Sequence, residues 1–180
     1  MKFLLLYGTT EGQTRKIADA IAGHLTKAGE SVTCADASQT PPPDPAAFDG
    51  AVLLASLHAG RYQRPVADFA RRHQAWLSAM PSAFVSVSLT AAGNDPEERK
   101  GLDQCVQHFL DDTGWKPGEI AHVAGAFRFT EYDFFKRWVM KMIAHQHGIH
   151  PDTHQDLELT KWDEVARFAE GFRVRAAKKS

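Results

Sequence analysis

Short apolar runs alternate along the chain with longer stretches in which apolar residues recur every three or four positions. An apolar run of strand length, flanked by turn residues, is typical of a strand buried on both faces of a parallel sheet. The spaced pattern is typical of an amphipathic helix. The sequence therefore predicts five strands, over residues 3–7, 31–35, 51–55, 83–89 and 119–125.

Amphipathic helices are predicted between these strands and after the last of them. Their apolar faces cover residues 17–25, 65–80, 95–110 and 162–172. Strands that alternate with helices in this way predict an α/β fold with right-handed crossovers. We therefore expect a doubly wound five-stranded parallel sheet, formed as a single domain by residues 1–180.

The segment between the fifth strand and the last helix, residues 127–159, is too long for a structureless loop. Within it, residues 131–143 carry acidic side chains early and basic side chains later. This order matches the helix dipole. An inserted helical segment after the fifth strand is therefore part of the predicted fold.

Composition and charge narrow the class of protein. The chain has 21 Lys and Arg against 22 Asp and Glu, a formal net charge of -1. This balance argues against a nucleic-acid-binding protein and against a strongly acidic electron shuttle. Cys34 and Cys105 are too far apart in sequence for a close ligand pair, which excludes a disulfide framework or a cysteine zinc site and leaves one disulfide open. No apolar stretch has the length of a signal sequence or a membrane span, so we expect a cytoplasmic protein.

The first strand–helix junction is the strongest candidate for a binding site. In a doubly wound sheet, ligands bind beyond the carboxyl ends of the strands, where N–H groups at a helix N-terminus attract phosphate. Gly12 lets a ligand approach the backbone closely. The junction lacks a Gly-Lys-Ser/Thr ending and a three-glycine fingerprint, which favours a terminal monophosphate. The predicted phosphate-binding residues are Thr9, Thr10, Glu11, Gly12, Gln13 and Thr14, and the alternative is an ordinary helix start capped by threonine.

The third and fourth predicted strands end at the same rim of the sheet in small and apolar residues, which could admit a flat ring system. Tyr62 either stacks on that ring or packs against the rim with a wet hydroxyl. His58 and Arg61 either contact a substrate or are simply solvated. The candidate ring-binding residues are Ser56, Leu57, His58, Gly60, Tyr62, Ser88, Leu89 and Thr90, together with Gly125 at the end of the fifth strand.

Residues 7–14, Tyr-Gly-Thr-Thr-Glu-Gly-Gln-Thr, resemble the phosphate loop of flavodoxin-like FMN proteins. More narrowly, the chain resembles, nearly end to end, the bacterial family of menaquinone-dependent protoporphyrinogen oxidases. The insertion at 127–159 is similar in place and length to one in that family, which ordinary flavodoxins lack. The other matching motifs are Glu-Gly-Gln-Thr-Arg at 11–15, Met-Pro-Ser-Ala-Phe at 80–84, Ala-Gly-Ala at 124–126, Asp-Thr at 152–153, Thr160 and Trp162.

The resemblance implies a flavodoxin-like fold, FMN as cofactor, and an oxidoreductase of haem biosynthesis. Such an enzyme oxidises protoporphyrinogen IX to protoporphyrin IX and passes the electrons to menaquinone or another quinone. A bound flavin supplies redox chemistry, so the protein has to position it rather than provide a nucleophile. The sequence accordingly assigns no catalytic residue. The alternatives are a flavodoxin-type electron carrier, another quinone-linked reductase of this fold, and a regulatory domain with a degenerate flavin pocket.

The predicted inserted helix carries an aromatic-rich face flanked by basic residues. One interpretation is contact with a quinone, with the cytoplasmic face of the inner membrane, or with the porphyrinogen as a lid, the bases meeting anionic lipid or propionates. The other is a helix packed on the core with snorkelling bases. The face consists of Tyr132, Phe135, Trp138, Val139, Met142 and Ile143, flanked by Lys136, Arg137 and Lys141.

Four histidines that lie close together in sequence raise the question of a metal site: His145, His147, His150 and His154. Zinc binds imidazole, but no carboxylate or thiolate completes a known spacing, and Pro151 interrupts any shared helical face. Solvated loop histidines are therefore the favoured interpretation, and no metal is predicted.

Overall fold

A computed structural model of the chain describes residues 1–39, 42–127 and 157–179. Its strands and helices follow one another in the alternating order that the apolar pattern predicts. Along the chain they are β1 (Lys2–Gly8), α1 (Gln13–Lys27), β2 (Ser31–Asp36), β3 (Gly50–His58), β4 (Arg61–Tyr62), α2 (Arg64–Arg72), α3 (Gln74–Ala79), β5 (Ser82–Ser88), α4 (Pro96–Thr113), β6 (Glu119–Ala124), β7 (Ala126–Phe127), β8 (Leu157–Glu158) and α5 (Trp162–Lys179).

The five predicted strands form one sheet in the order β2-β1-β3-β5-β6, and every neighbouring pair in that order is parallel. This confirms the predicted doubly wound five-stranded sheet. Leu5 of β1, for example, stands between Cys34 of β2 and Val52 of β3. Because helices cover both faces, most residues of the inner strands are buried, which explains their unbroken apolar runs.

The side chains of β1 point alternately to two separate halves of the core. Phe3 and Leu5 pack with the apolar faces of α1 and α5 on one side of the sheet. Leu4 and Leu6 belong to the other side, where α2, α3 and α4 cover the strands. Aromatic rings fill that second half, with Phe84 stacked on Phe109 at 4.6 Å and edge-on to Trp115 at 5.9 Å.

The helix predicted over residues 65–80 is two helices in the structure, and this part of the prediction was wrong. The chain breaks between α2 and α3 at His73, whose backbone angles are φ -116° and ψ 21°. Its N–H still donates to the Phe69 carbonyl, and its own carbonyl still accepts from Leu77 N–H, both at 3.0 Å. Neither glycine nor proline marks the break, so the sequence carries no local signal for it.

Two short antiparallel pairings were absent from the prediction. In the first, β4 folds back on β3 through Ala59 and Gly60, which both adopt positive φ, 48° and 76°. In the second, β7 pairs with β8, with Ala126 opposite Glu158 and Phe127 opposite Leu157. The predicted helix at 131–143 and the four histidines of residues 145–154 lie outside the described residues.

Gly50 illustrates how closely β3 and β5 approach at the start of the sheet. A Cβ at this position would stand 2.7 Å from the Pro81 carbonyl oxygen and 3.2 Å from the Phe3 ring. Gly23, in the middle of α1, has no atom within 4 Å of its would-be Cβ among the described residues. The two glycines therefore differ in packing, although the substitution to alanine is chemically the same.

We expect Gly50→Ala to lower the free energy of unfolding by about 1–3 kcal/mol, because the new methyl group overpacks a rigid backbone contact. Gly23→Ala is the matched control and should raise it by about 0.5–1 kcal/mol, since alanine is the better helix former. Urea unfolding midpoints measure both. A Gly50→Ala protein as stable as wild type would contradict the close approach of β3 to Pro81.

Candidate functional site at the carboxyl ends of the strands

A cleft of about 280 Å³ opens where the carboxyl ends of β1, β3 and β5 meet. All but two of the predicted site residues line it. Ala59, Val87 and Ala126 also line it and were missed, since small apolar residues at strand ends carry no distinctive signal. The predicted residues that the structure brings together are Thr9, Thr10, Glu11, Gln13, Thr14, Ser56, Leu57, His58, Gly60, Ser88, Leu89, Thr90 and Gly125.

The loop between β1 and α1 presents the start of a helix to this cleft. Gly12 has φ +90°, a left-handed conformation that favours glycine, and its N–H donates to Thr9 Oγ1 at 2.8 Å. Gly12 does not line the cleft but makes the turn on which α1 begins. No side chain among the described residues caps α1, and its first turn holds no acidic residue. The first-turn N–H groups, which have no intrahelical partner, are therefore available to an anion.

Thr14 carries the most informative polar atom of the site. Its side chain is fully buried, yet its hydroxyl has no hydrogen-bond partner among the described residues. A buried hydroxyl without a partner costs free energy, and such groups are rare in folded proteins. Because Thr14 lines the cleft next to the uncapped helix start, its hydroxyl is available to form a hydrogen bond with a ligand in the cleft.

Gln63 connects two of the loops that form the cleft. Its Nε2 donates to Thr10 Oγ1 at 3.2 Å and to Ser56 Oγ. Gln63 packs so closely on the end of β1 that a Cβ at Gly8 would lie 2.9 Å from Gln63 Cβ. The phosphate loop and the end of β3 are therefore held together by one amide. Gln63 was not among the predicted site residues, because its role depends on contacts that form only when the chain is folded.

Tyr62 lies behind the cleft rather than in it. Its ring packs edge-on against Phe84 and Phe109, with centroids 5.1 and 5.3 Å away, and its hydroxyl shares a 2.8 Å hydrogen bond with Ser86 Oγ. Burial raises the pKa of Tyr62 to about 12, and the hydrogen bond to the Ser86 hydroxyl acts in the opposite direction. The structure shows the packed ring, but its hydroxyl is bound to buried Ser86 rather than to water. Tyr62 does not line the cleft, and its contact with a ligand stays a prediction.

Comparison with known proteins assigns the chain to a family. Residues 4–154 match the flavodoxin domain family. Over 170 residues the chain is 35% identical to the protoporphyrinogen IX dehydrogenase (quinone) of Escherichia coli (strain K12), which covers 94% of this chain and 93% of the relative. The chain belongs to the protoporphyrinogen IX dehydrogenase (quinone) family of flavodoxin-domain proteins. The relative of that name from Leishmania major is 33% identical over 183 residues, covering 95% of this chain and 74% of its own length.

Solved structures agree with this family on the fold. A short-chain flavodoxin associated with a non-canonical PDU bacterial microcompartment superimposes with a TM-score of 0.59, covering 98% of this chain and 99% of the flavodoxin. At 19% identity this likeness shows the flavodoxin fold alone. It places the loop of residues 9–14 at the carboxyl edge of a flavodoxin-type sheet, where the fold binds its ligands.

The cleft fits the flavin that a flavodoxin domain implies. Its phosphate end offers hydroxyls and helix N–H groups, and its walls beyond that end are formed by small and apolar residues such as Leu57, Val87 and Leu89. Among the residues that the structure describes, no three His, Cys, Asp or Glu side chains approach closely enough to share a metal ion. Cys34 and Cys105 are both free thiols, so the disulfide left open by the sequence is not formed.

We expect Thr14→Val to leave the stability of the flavin-free protein unchanged or slightly higher, because the substitution removes a buried hydroxyl that has no partner in the described part of the chain. The matched control is Thr113→Val at the end of α4, whose buried hydroxyl donates to the Phe109 carbonyl at 2.9 Å. That variant should lose about 1 kcal/mol. Thermal unfolding of both flavin-free variants measures the difference, and equal losses would mean that the Thr14 hydroxyl has a partner within the protein.

Tyr62→Phe should lower stability by about 1 kcal/mol at neutral pH, through loss of the hydrogen bond to Ser86. The folded pKa of about 12 lies above the ordinary value of 10.0, so the unfolded chain ionises first. The contribution of Tyr62 is thus complete below pH 10 and is lost as the pH rises towards 12. Urea midpoints of wild type and Tyr62→Phe at pH 8 and pH 11 should converge at the higher pH; a constant difference would contradict the buried hydroxyl.

Proposed function

We propose that the chain is an FMN-dependent protoporphyrinogen IX dehydrogenase that passes electrons to a quinone. The observation that carries the proposal is the buried Thr14 hydroxyl, which has no hydrogen-bond partner among the described residues and lies at an uncapped helix start. It indicates a ligand with an anionic oxygen-bearing end, as FMN has in its phosphate. The two relatives named protoporphyrinogen IX dehydrogenase (quinone) support the substrate and the acceptor.

The residues of the first loop would hold the phosphate of FMN. Thr9, Thr10 and Thr14 can donate hydroxyl hydrogens to it, and the first-turn N–H groups of α1 add further donors. Accepting a hydrogen bond from Gln63 leaves the proton of Thr10 free to point at the phosphate. The loop carries no lysine, so its recognition of the dianion rests on neutral donors and on the helix dipole.

The ends of β3 and β5 would hold the flavin ring. Bound FMN supplies two-electron redox chemistry, which the protein side chains do not provide themselves. Leu57, Val87 and Leu89 form apolar walls that exclude water, and Gly60 and Gly125 let the backbone approach a flat ring closely. Each oxidation step removes two electrons and two protons from protoporphyrinogen IX, and a quinone that accepts them becomes a quinol. Three such steps yield protoporphyrin IX.

A quinone acceptor of the menaquinone type also has consequences for where the protein works. None of the helices within the described part of the chain is both long and apolar enough to cross a membrane. Because menaquinone is dissolved in the lipid bilayer, we propose that the protein meets it by peripheral contact with the cytoplasmic face of the inner membrane.

The cofactor is tested by fluorescence titration of flavin-free protein with FMN and with riboflavin, which lacks the phosphate. Thr14→Val should weaken FMN binding about tenfold or more, because a hydrogen bond to a charged group contributes about 1.5–3 kcal/mol. Riboflavin binding should not change. Thr113→Val, remote from the cleft, should bind both flavins like wild type. If wild type and Thr14→Val bind FMN with equal affinity, the phosphate does not bind to this loop.

The reaction is tested by anaerobic mixing of the FMN-loaded protein with protoporphyrinogen IX. The substrate should bleach the flavin absorbance, and added menaquinone should restore it while porphyrin fluorescence grows. If protoporphyrinogen leaves the flavin oxidised while a reduced protein partner bleaches it, the chain is an electron carrier and the proposed substrate is wrong.

A further inference from the structure

We infer that Thr160 is a positioning residue that holds Gln13, and through it the first turn of α1, in the conformation that binds the flavin phosphate. This inference rests on the proposed function. Thr160 lies 147 positions from Gln13 along the chain, on the segment that returns to the domain after the insertion. It does not line the cleft, so its action on a ligand has to pass through another residue.

The return segment, residues 157–161, is attached to the carboxyl edge of the sheet at several points. Leu159 N–H donates to the Gly125 carbonyl at 3.1 Å, and the Thr160 hydroxyl donates to the Ala124 carbonyl at 2.7 Å. Glu158 forms an ion pair with Lys16 of α1 at 3.6 Å and accepts from Trp162 Nε1 at 2.8 Å. The segment thereby joins the end of β6 to the first turns of α1.

The Thr160 hydroxyl is the buried group in this attachment, and it takes part in two hydrogen bonds. A hydroxyl has one proton to donate and lone pairs with which to accept. The proton goes to Ala124, so the oxygen accepts from Gln13 Nε2, at 2.9 Å. Thr160 is 8% exposed and Gln13 is 7% exposed, and water therefore offers little replacement for either bond. The direction of the hydrogen bond between Gln13 and Thr160 is fixed by the bond to Ala124.

Gln13 connects the Thr160 hydroxyl to the proposed ligand site. It is the first residue of α1, so its backbone N–H belongs to the donors that face an anion, and its side chain lines the cleft. Without the Thr160 hydroxyl, the Gln13 amide is left either buried and unpaired or turned into the cleft. The first outcome costs free energy, and the second places the amide in space that the flavin phosphate needs. The second outcome should weaken the binding of FMN more than that of riboflavin, which has no phosphate.

The test compares three variants of the full chain by titration with FMN and with riboflavin. Thr160→Val removes both hydrogen bonds with little change of shape and should raise the FMN Kd about tenfold, the equivalent of about 1.4 kcal/mol. The riboflavin Kd should stay within about twofold of wild type, a difference well below 1 kcal/mol. Thr160→Ser keeps the hydroxyl and should bind FMN like wild type. Thr113→Val is the control for loss of a buried threonine hydroxyl elsewhere in the fold.

A second-site variant separates positioning from general loss of structure. Gln13→Met removes the amide, so adding Thr160→Val to it should cause no further loss, and the double variant should bind FMN more tightly than Thr160→Val alone. An effect of Thr160 on FMN binding that does not pass through Gln13 predicts instead that the two losses of FMN affinity add. If Thr160→Val does not fold, Thr160→Ala removes the same hydroxyl and enters the same comparison.

Each result has a distinct meaning. If wild type binds no FMN, the proposed cofactor is wrong before Thr160 is considered. If wild type binds FMN and Thr160→Val binds it equally well, the inference is overturned. It is also overturned if Thr160→Val weakens FMN and riboflavin to the same extent, because the effect then has nothing to do with the phosphate.

Discussion

The start of α1 offers more hydrogen-bond donors than the described part of the protein satisfies, and the rest of the site depends on that imbalance. Gly12 turns the chain so that the first N–H groups of the helix face the cleft, and no side chain among the described residues caps them. Thr14 adds a buried hydroxyl in the same state. Leaving such groups unpaired costs free energy, so a ligand that pairs with them gains affinity. The proposed flavin phosphate is such a ligand.

Elements far apart in sequence hold that start in place from two sides. Gln63, just before α2, joins the phosphate loop to the end of β3. Thr160, just before α5, joins the opposite flank of the loop to the end of β6. Because the loop is braced on both sides, its donors are preorganised for a ligand, and less free energy is lost in ordering them when it binds.

The sheet and the turn that begins α1 could be predicted because their signals are local. Buried parallel strands require unbroken apolar runs, and the turn at Gly12 requires a residue that tolerates positive φ. The break at His73, the packed ring of Tyr62 and the contact of Gln13 with Thr160 depend instead on what the rest of the chain brings near. No pattern of spacing encodes such contacts. Thr160 stood in a family motif, yet only the fold shows which group it touches.

The two-residue pairing of β7 with β8 fastens both ends of the intervening segment, residues 128–156, to the same edge of the domain. The pairing therefore brings the two chain ends that flank residues 128–156 side by side. It does so at the candidate site, because Ala126 of β7 lines the cleft. Any change that separates β8 from β7 would thus act directly on the wall of that cleft.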